Sequence, residues 1–260
     1  MRLVGRIRLP RRVVAPLVSL IGLVLLWELA VGALEIPRFL LPAPSSVVEY
    51  TVENFGLLLS FATSTLIATL AGFALALLIG VAIAIAIVWS PTFEDATYPI
   101  IVVTQVMPKV AIAPLLVVYL GFEMAPKIFL AFLVSFFPVV INTTLGLKSV
   151  SLELHELLAT LGARKWQVMV KVRLWRAIPY IVEGAKIAIT LAVIGAIIGE
   201  FSAGNDGLGY LITSAASNLD TTLGFSALLL LVLMGVLLFE LIDIGGRLLT
   251  PWLPKSQLDT

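Results

Sequence analysis

Apolar and polar positions alternate along the chain in long blocks rather than in the short periods of a soluble fold. Six apolar runs stand out, at residues 14–34, 60–89, 98–120, 126–147, 180–201 and 223–246. A hydrocarbon core about 30 Å thick is crossed by roughly 20 apolar helical residues, so each run is long enough to span it. Backbone polar groups in lipid must be satisfied within the segment, so all six are read as helices. The third run is interrupted by Pro108 and Pro114, which predicts a kinked helix. The first run has a basic flank like that of a secretory leader. Its apolar stretch exceeds a leader's usual length of roughly 7–15 residues, and it is read as a span. Residues 35–59 and 202–222 are long enough for extra structure. The former contains Leu41-Pro42-Ala43-Pro44-Ser45-Ser46, which predicts a turn and then a helix capped at Ser45 or Ser46. The latter is rich in Gly, Ser, Asn and Asp.

Two of the runs carry small residues at helical spacing. The second has Ala68, Gly72, Ala76, Gly80 and Ala84, and the fifth has Gly184, Ala188, Ala192 and Ala196, with Gly195 and Gly199 besides. Such stripes let helix backbones approach closely, on which association in lipid depends. Packing within the bundle is the plain reading, and a subunit interface or a moving pathway the sharper one.

Composition agrees with the pattern. Of the 260 residues, 60% are hydrophobic and 13% charged, against about 25% charged in a soluble domain. The expectation is an all-α membrane protein of about six transmembrane helices. Disorder, nucleic-acid binding and a secreted disulfide scaffold are excluded. The distribution of charge sets a direction. If the N-terminus lies inside, the inner segments hold Arg2, Arg6, Arg8, Arg11 and Arg12, then Lys148, Arg164, Lys165, Lys171, Arg173 and Arg176, then Arg247 and Lys255. The outer loops hold Arg38 and Lys127, which makes thirteen against two. The bias places both termini in the cytoplasm. The domain reading is a basic N-terminal segment 1–13, a single transmembrane domain 14–254 and a tail 255–260, with no linker, repeat or low-complexity run.

Most catalytic signatures are missing. No Gly-x-x-x-x-Gly-Lys-Ser/Thr run is present, so the chain carries no phosphate-cradling loop of its own. His155-Glu156 lacks a second histidine at position 159, where Ala159 stands, so the zinc-protease pattern fails. No Gly-x-Ser-x-Gly elbow occurs and cysteine is absent. No catalytic or metal-ligating set is expected, and no cofactor.

Between the fourth and fifth runs lies a stretch too polar to span. Leu154, Leu157, Leu158 and Leu161 recur at helical spacing up to Gly162, a helix-ending residue. A second short amphipathic helix is expected to follow, with Trp166, Val168, Met169 and Val172 among Arg164, Lys165, Lys171 and Arg173, before Pro179 leads into the fifth span. A helix–turn–helix unit of this kind either lies on anionic headgroups or seats in a groove on a soluble partner.

Glu156-Leu157-Leu158-Ala159-Thr160-Leu161-Gly162, nine residues, then Val172-Arg173-Leu174-Trp175 resembles the EAA loop of ABC-importer permeases. Leu157 and Leu158 replace two alanines of that pattern, and Trp175 stands where proline is usual. Pro108-Lys109-Val110-Ala111-Ile112-Ala113-Pro114-Leu115, Gly199-Glu200-Phe201 and Asn205-Asp206-Gly207-Leu208-Gly209-Tyr210-Leu211 are similar to signatures of the nitrate/sulfonate/taurine branch. The resemblance covers about residues 60–254. It implies a type I ABC importer permease fold with a cytoplasmic coupling helix, in a loop at about 152–175. It also implies a second permease copy, usually in a homodimer, ABC ATPase subunits that hydrolyse the ATP, and an extracytoplasmic solute-binding protein. The location implied is a bacterial or archaeal plasma membrane, the inner membrane in a Gram-negative cell.

On that resemblance, the coupling role falls to Glu156, Leu158, Leu161, Gly162, Ala163 and Arg164. Polar groups inside spans are costly and mark pathway candidates, foremost Gln105, Pro108, Lys109, Asn142 and Glu200. Lys109 either attracts an anionic solute or snorkels to the surface, and Lys186 is expected to snorkel. Glu200 is expected to cap, to pair, or to line a gate. Asp243 and Arg247 are spaced for an i,i+4 pair. The solute expected is a small one, of sulfonate, nitrate, taurine or vitamin-precursor type. The competing readings are an ion-gradient-driven secondary transporter, which would show inverted repeats, and a membrane-embedded enzyme, which would need a catalytic cluster.

Overall fold

The structure, a computed structural model, describes residues 11–252. The predicted tail 255–260 and the basic residues Arg2, Arg6, Arg8 and Lys255 lie outside them. Ten helices are described in chain order: α1 (Arg11–Ala33), α2 (Pro44–Glu53), α3 (Phe55–Trp89), α4 (Pro91–Val106), α5 (Lys109–Leu120), α6 (Met124–Lys148), α7 (Leu152–Thr160), α8 (Lys165–Ala203), α9 (Leu208–Ser217) and α10 (Thr221–Leu249).

Helices α3, α6, α8 and α10 are each long and apolar enough to cross a bilayer. The predicted third span is two helices, α4 and α5, bent by 96°. Pro108 explains the break. It has no N–H to donate, and it pushes Met107 out of the helical region to ψ 127°. Pro114, by contrast, lies inside α5 without ending it. The first predicted run is α1, whose described apolar part, Val18–Ala33, is shorter than a full span. It packs at the edge, where Trp27 meets Phe225 at 5.5 Å between ring centroids.

The expected cap at Ser45 or Ser46 is corrected. Helix α2 starts at Pro44, after Ala43, with no side-chain cap, because proline at the first turn already presets the backbone. Ser45 instead donates from its N–H (3.0 Å) and its hydroxyl (2.7 Å) to the Glu28 carboxylate on α1. The expected separate helix after Gly162 is corrected as well. Residues Lys165–Ala203 form one helix of 39 residues, with a π turn at Met169–Arg173 and Pro179 inside it. Trp175 lies within this helix, and its ring packs on Trp252 at 6.0 Å between centroids.

Both small-residue stripes are buried, and both meet the same helix. A Cβ on Gly80 of α3 would lie 2.8 Å from Val139 of α6, and one on Gly72 would lie 2.8 Å from the Ile128 carbonyl. On α8, a Cβ on Gly195 would lie 2.6 Å from the Leu130 carbonyl, and one on Gly199 would lie 2.6 Å from the Lys127 Cα. Helix α6 is therefore clasped between α3 and α8 at backbone distance. The packing reading of the stripes accounts for these contacts.

The glycines of α8 and α10 make a contrast that can be measured. Gly195→Ala forces backbones apart and should destabilise the protein by about 1–3 kcal/mol. A Cβ on Gly235 of α10 would meet nothing within 4 Å, and Gly235→Ala should be neutral or stabilising by up to about 1 kcal/mol. Thermal unfolding of the purified protein in detergent checks both, and equal melting temperatures for the two variants would contradict the close packing.

Candidate functional site

Helix α7 is defined at both ends by its own residues. The Ser151 hydroxyl accepts from the Leu154 N–H at 3.5 Å. Hydrogen bonds from its own N–H and from the Ser151 hydroxyl hold the Glu153 carboxyl below the usual range. At the other end, the Gly162 N–H donates to the Ala159 carbonyl and the Ala163 N–H to the Leu158 carbonyl, both at 3.0 Å. Gly162 has φ 70°, the left-handed conformation that this paired closure requires. The Gln167 side chain then accepts from the Arg164 N–H at 2.8 Å and starts α8. The turn between the helices is thus fixed by hydrogen bonds.

Of the predicted coupling residues, Glu156, Gly162 and Arg164 are exposed, and Leu158 and Ala163 are half-buried. Leu161 is 72% exposed, so it does not pack on this chain's own helix ends.

Gln105, Pro108 and Lys109 are brought together by the break between α4 and α5. Pro108 makes the break. Thr104, Gln105 and Lys109 line a cavity of about 280 Å³ with Phe136, Phe137 and Pro138 of α6. The Lys109 ammonium donates to the Gln105 carbonyl, one turn back. Asn142 is not part of this lining. It lies one turn beyond Pro138, donates to that carbonyl at 2.9 Å, and faces Gly184 of α8.

Glu200 stands at the opposite end of α8, is fully buried (0% exposed), and lines neither this cavity nor the surface. Its Oε2 accepts from the Gly209 N–H at 2.7 Å, while the Leu208 N–H donates to Thr65 Oγ1 of α3 at 2.9 Å. Both donors open α9. Glu200 therefore caps that helix from outside it. A Cβ on Gly207 would overlap the carboxylate, and one on Gly209 would lie 2.9 Å from Oε2. Lys127 completes the cluster. The sequence pattern assigns it to an outer loop, but it is 3% exposed, in the first turn of α6. Its ammonium is satisfied by the Asp206 carbonyl at 2.7 Å.

Lys186 does not snorkel. It is 9% exposed and lies 2.6 Å from Asp243 of α10 and 2.8 Å from Glu183. Asp243 also receives Arg247 Nε at 2.8 Å, as their spacing predicts. The i,i+4 half of this network is legible in the sequence, whereas the cross-helix pair of Lys186 and Asp243 is not. Thr65 carries no sequence signal for its capping role. Among the described residues, no group of three acidic, His or Cys side chains is placed to hold a metal.

Residues 76–255 match the family described as binding-protein-dependent transport system inner membrane component. Among similar proteins is the formylaminopyrimidine transport permease protein of Halalkalibacterium halodurans, 32% identical over 93% of this chain and 96% of that one. The riboflavin transport system permease protein of Chloroflexus aurantiacus is 35% identical over 90% and 88%. The taurine transport system permease protein of Escherichia coli is 30% identical over 98% and 96%. A chain of the MetNI methionine ABC transporter, in an inward-facing structure, has the same fold. Its TM-score is 0.66 at 20% identity, over 76% of this chain and 98% of that one.

Two substitutions test the local geometry by hydrogen exchange. Gly162→Ala puts a Cβ on a left-handed residue at a cost of about 1–2 kcal/mol, so the amides of Gly162 and Ala163 should exchange faster; unchanged protection would contradict the closure. Glu200→Ala should expose the Gly209 amide to exchange while Glu200→Gln, which keeps an acceptor, should protect it better. Equal protection in the two variants would remove Glu200 as the cap.

Proposed function

Because the chain belongs to the binding-protein-dependent transport system inner membrane component family, we propose that α7 couples it to a separate ABC ATPase. The protein is a multi-pass permease subunit of a binding-protein-dependent ABC importer, and it forms the pathway for a small solute. An ATPase and a solute-binding protein are the partners this family implies. The coupling reading is carried by one observation: Leu161, 72% exposed, sits beside a hydrogen-bonded turn that holds it rigidly outward. Leu161 and Leu158 fill a groove on the ATPase, Glu156 and Arg164 pair with charges at its rim, and Gly162 with Ala163 keeps the turn.

The rest of the reading follows the same logic. ATP is hydrolysed by the partner, since the sequence holds no phosphate-cradling loop. ATP binding biases an interface with two arrangements. Two copies of the chain form a homodimer around the pathway. Both termini face the cytoplasm from the plasma membrane, in line with the Lys and Arg bias, and the binding protein docks on the opposite face. Gln105, Pro108 and Lys109 line the pathway at the helix break, with Asn142 below. Glu200 serves it by holding the loop before α9 in place. The solute is of sulfonate, nitrate, taurine or vitamin-precursor type. The vitamin-type relatives and the Phe136–Phe137 wall favour a flat nitrogen heterocycle.

Co-purification with the cognate ATPase tests the coupling reading. Leu161→Asp should abolish recovery of the ATPase while leaving the melting temperature of the permease unchanged. Full recovery with Leu161→Asp, or no recovery with the wild type, would contradict it.

A further inference from the structure

Four of the five tryptophans, Trp89, Trp166, Trp175 and Trp252, sit at the α7 end of the bundle. Each is about half exposed. Amphipathic rings gather where hydrocarbon gives way to headgroups, and Trp89, at the end of the α3 span, marks that transition. At the same level lies a cavity of about 380 Å³. It is bounded by Val88 and Trp89 at the end of α3, by Ala159 of α7 and Ala163 of the turn that follows it, and by Lys165 and Arg173 at the start of α8.

The charges at its mouth are unbalanced. Elsewhere at this end, Lys148 is paired with Glu94, Lys186 with Asp243, and Arg247 with the same Asp243. Arg164, Lys165, Lys171, Arg173 and Arg176 have no ion-pair partner among the described residues, and of these Lys165 and Arg173 line the cavity. The π turn Met169–Arg173 lies between them on one helix, and such turns concentrate at functional positions. The cavity therefore offers two unspent cations beside an apolar wall, at the depth of lipid phosphates.

We propose that this cavity holds the headgroup of an anionic phospholipid, with Lys165 and Arg173 on its phosphate and Val88 and Trp89 against its upper acyl chain. A lipid seated there ties α7 and the start of α8 to the end of α3. The assignment needs only that the chain is a membrane protein. It shares Ala163 with the proposed coupling turn, but Leu161 is not in its lining.

Native mass spectrometry of the full-length permease in detergent tests it, with phosphatidylglycerol and phosphatidylcholine of identical acyl chains. Attraction of about 1 kcal/mol for each basic residue near an anionic surface gives a preference for phosphatidylglycerol of roughly thirtyfold at low salt. Lys165→Gln with Arg173→Gln should remove it, whereas Lys171→Gln, on the same helix but outside the cavity lining, should leave it in place. Should the double variant fail to fold, a salt titration of the wild type decides, because screening must erode a charge-based preference. Equal retention of the two lipids, a preference that survives the double variant, or one indifferent to salt would overturn the proposal. So would competition by soluble glycerol phosphate at comparable concentration, which would make the site one for free phosphates. Displacement of the lipid by the ATPase would assign the cavity to the protein partner and overturn it as well.

Discussion

Backbone contact along α6 is the constraint on which the other arrangements rest. In lipid, helices gain little from burying apolar surface against one another, and close packing supplies the association. Glycine and alanine on α3 and α8 bring both backbones against α6, with gaps at Gly72, Gly80, Gly195 and Gly199 too small for a Cβ without movement. A three-helix slab packed this closely has few alternative arrangements, because interiors at native density resist small deformations.

Several charged and polar groups sit where that slab is joined to something else. At the α7 end, Lys186 and Asp243 tie α8 to α10, and Glu94 and Lys148 tie the start of α4 to the end of α6. At the far end, Glu200, Thr65 and Lys127 fasten the loop and first turn of α9 to α8, α3 and α6. Between them, the one sharp break is at Met107 and Pro108, next to the cavity lined by Gln105 and Lys109. Rigidity is concentrated along α6 and α8, and the bend lies beside the cavity. On the proposed coupling role of α7, this arrangement carries a motion from α7 to the other end of α8 with little absorbed on the way.

Much of this is legible in the sequence because it is local. A four-residue repeat of small side chains is a property of one helix, and it names the packed faces of α3 and α8 without their partner. Gly162 after a leucine-faced helix names the turn, and the structure adds the hydrogen bonds that set it. What stays hidden depends on contacts far apart in the chain. Lys127 reads as a loop residue because its acceptor, the Asp206 carbonyl, is 79 positions away. Lys186 reads as a snorkelling residue because Asp243 belongs to another helix. Ser45 reads as a cap because the Glu28 carboxylate that engages it lies on α1. Pro179 reads as a boundary, yet α8 runs through it, since a membrane helix can satisfy the freed carbonyl in other ways.

The central claim is that α6 and α8 move as one body. The natural sequence has no cysteine, so spin labels at Phe129 on α6 and Val170 on α8, both exposed, would be the sole labelled sites. Their distance should be measured by pulsed electron resonance in the assembled transporter, without nucleotide and with ATP bound. The same distance in both states is the result expected of a rigid pair. A shift of several ångströms between the states would show that the two helices slide past each other, and the account of how motion crosses the bundle would fail.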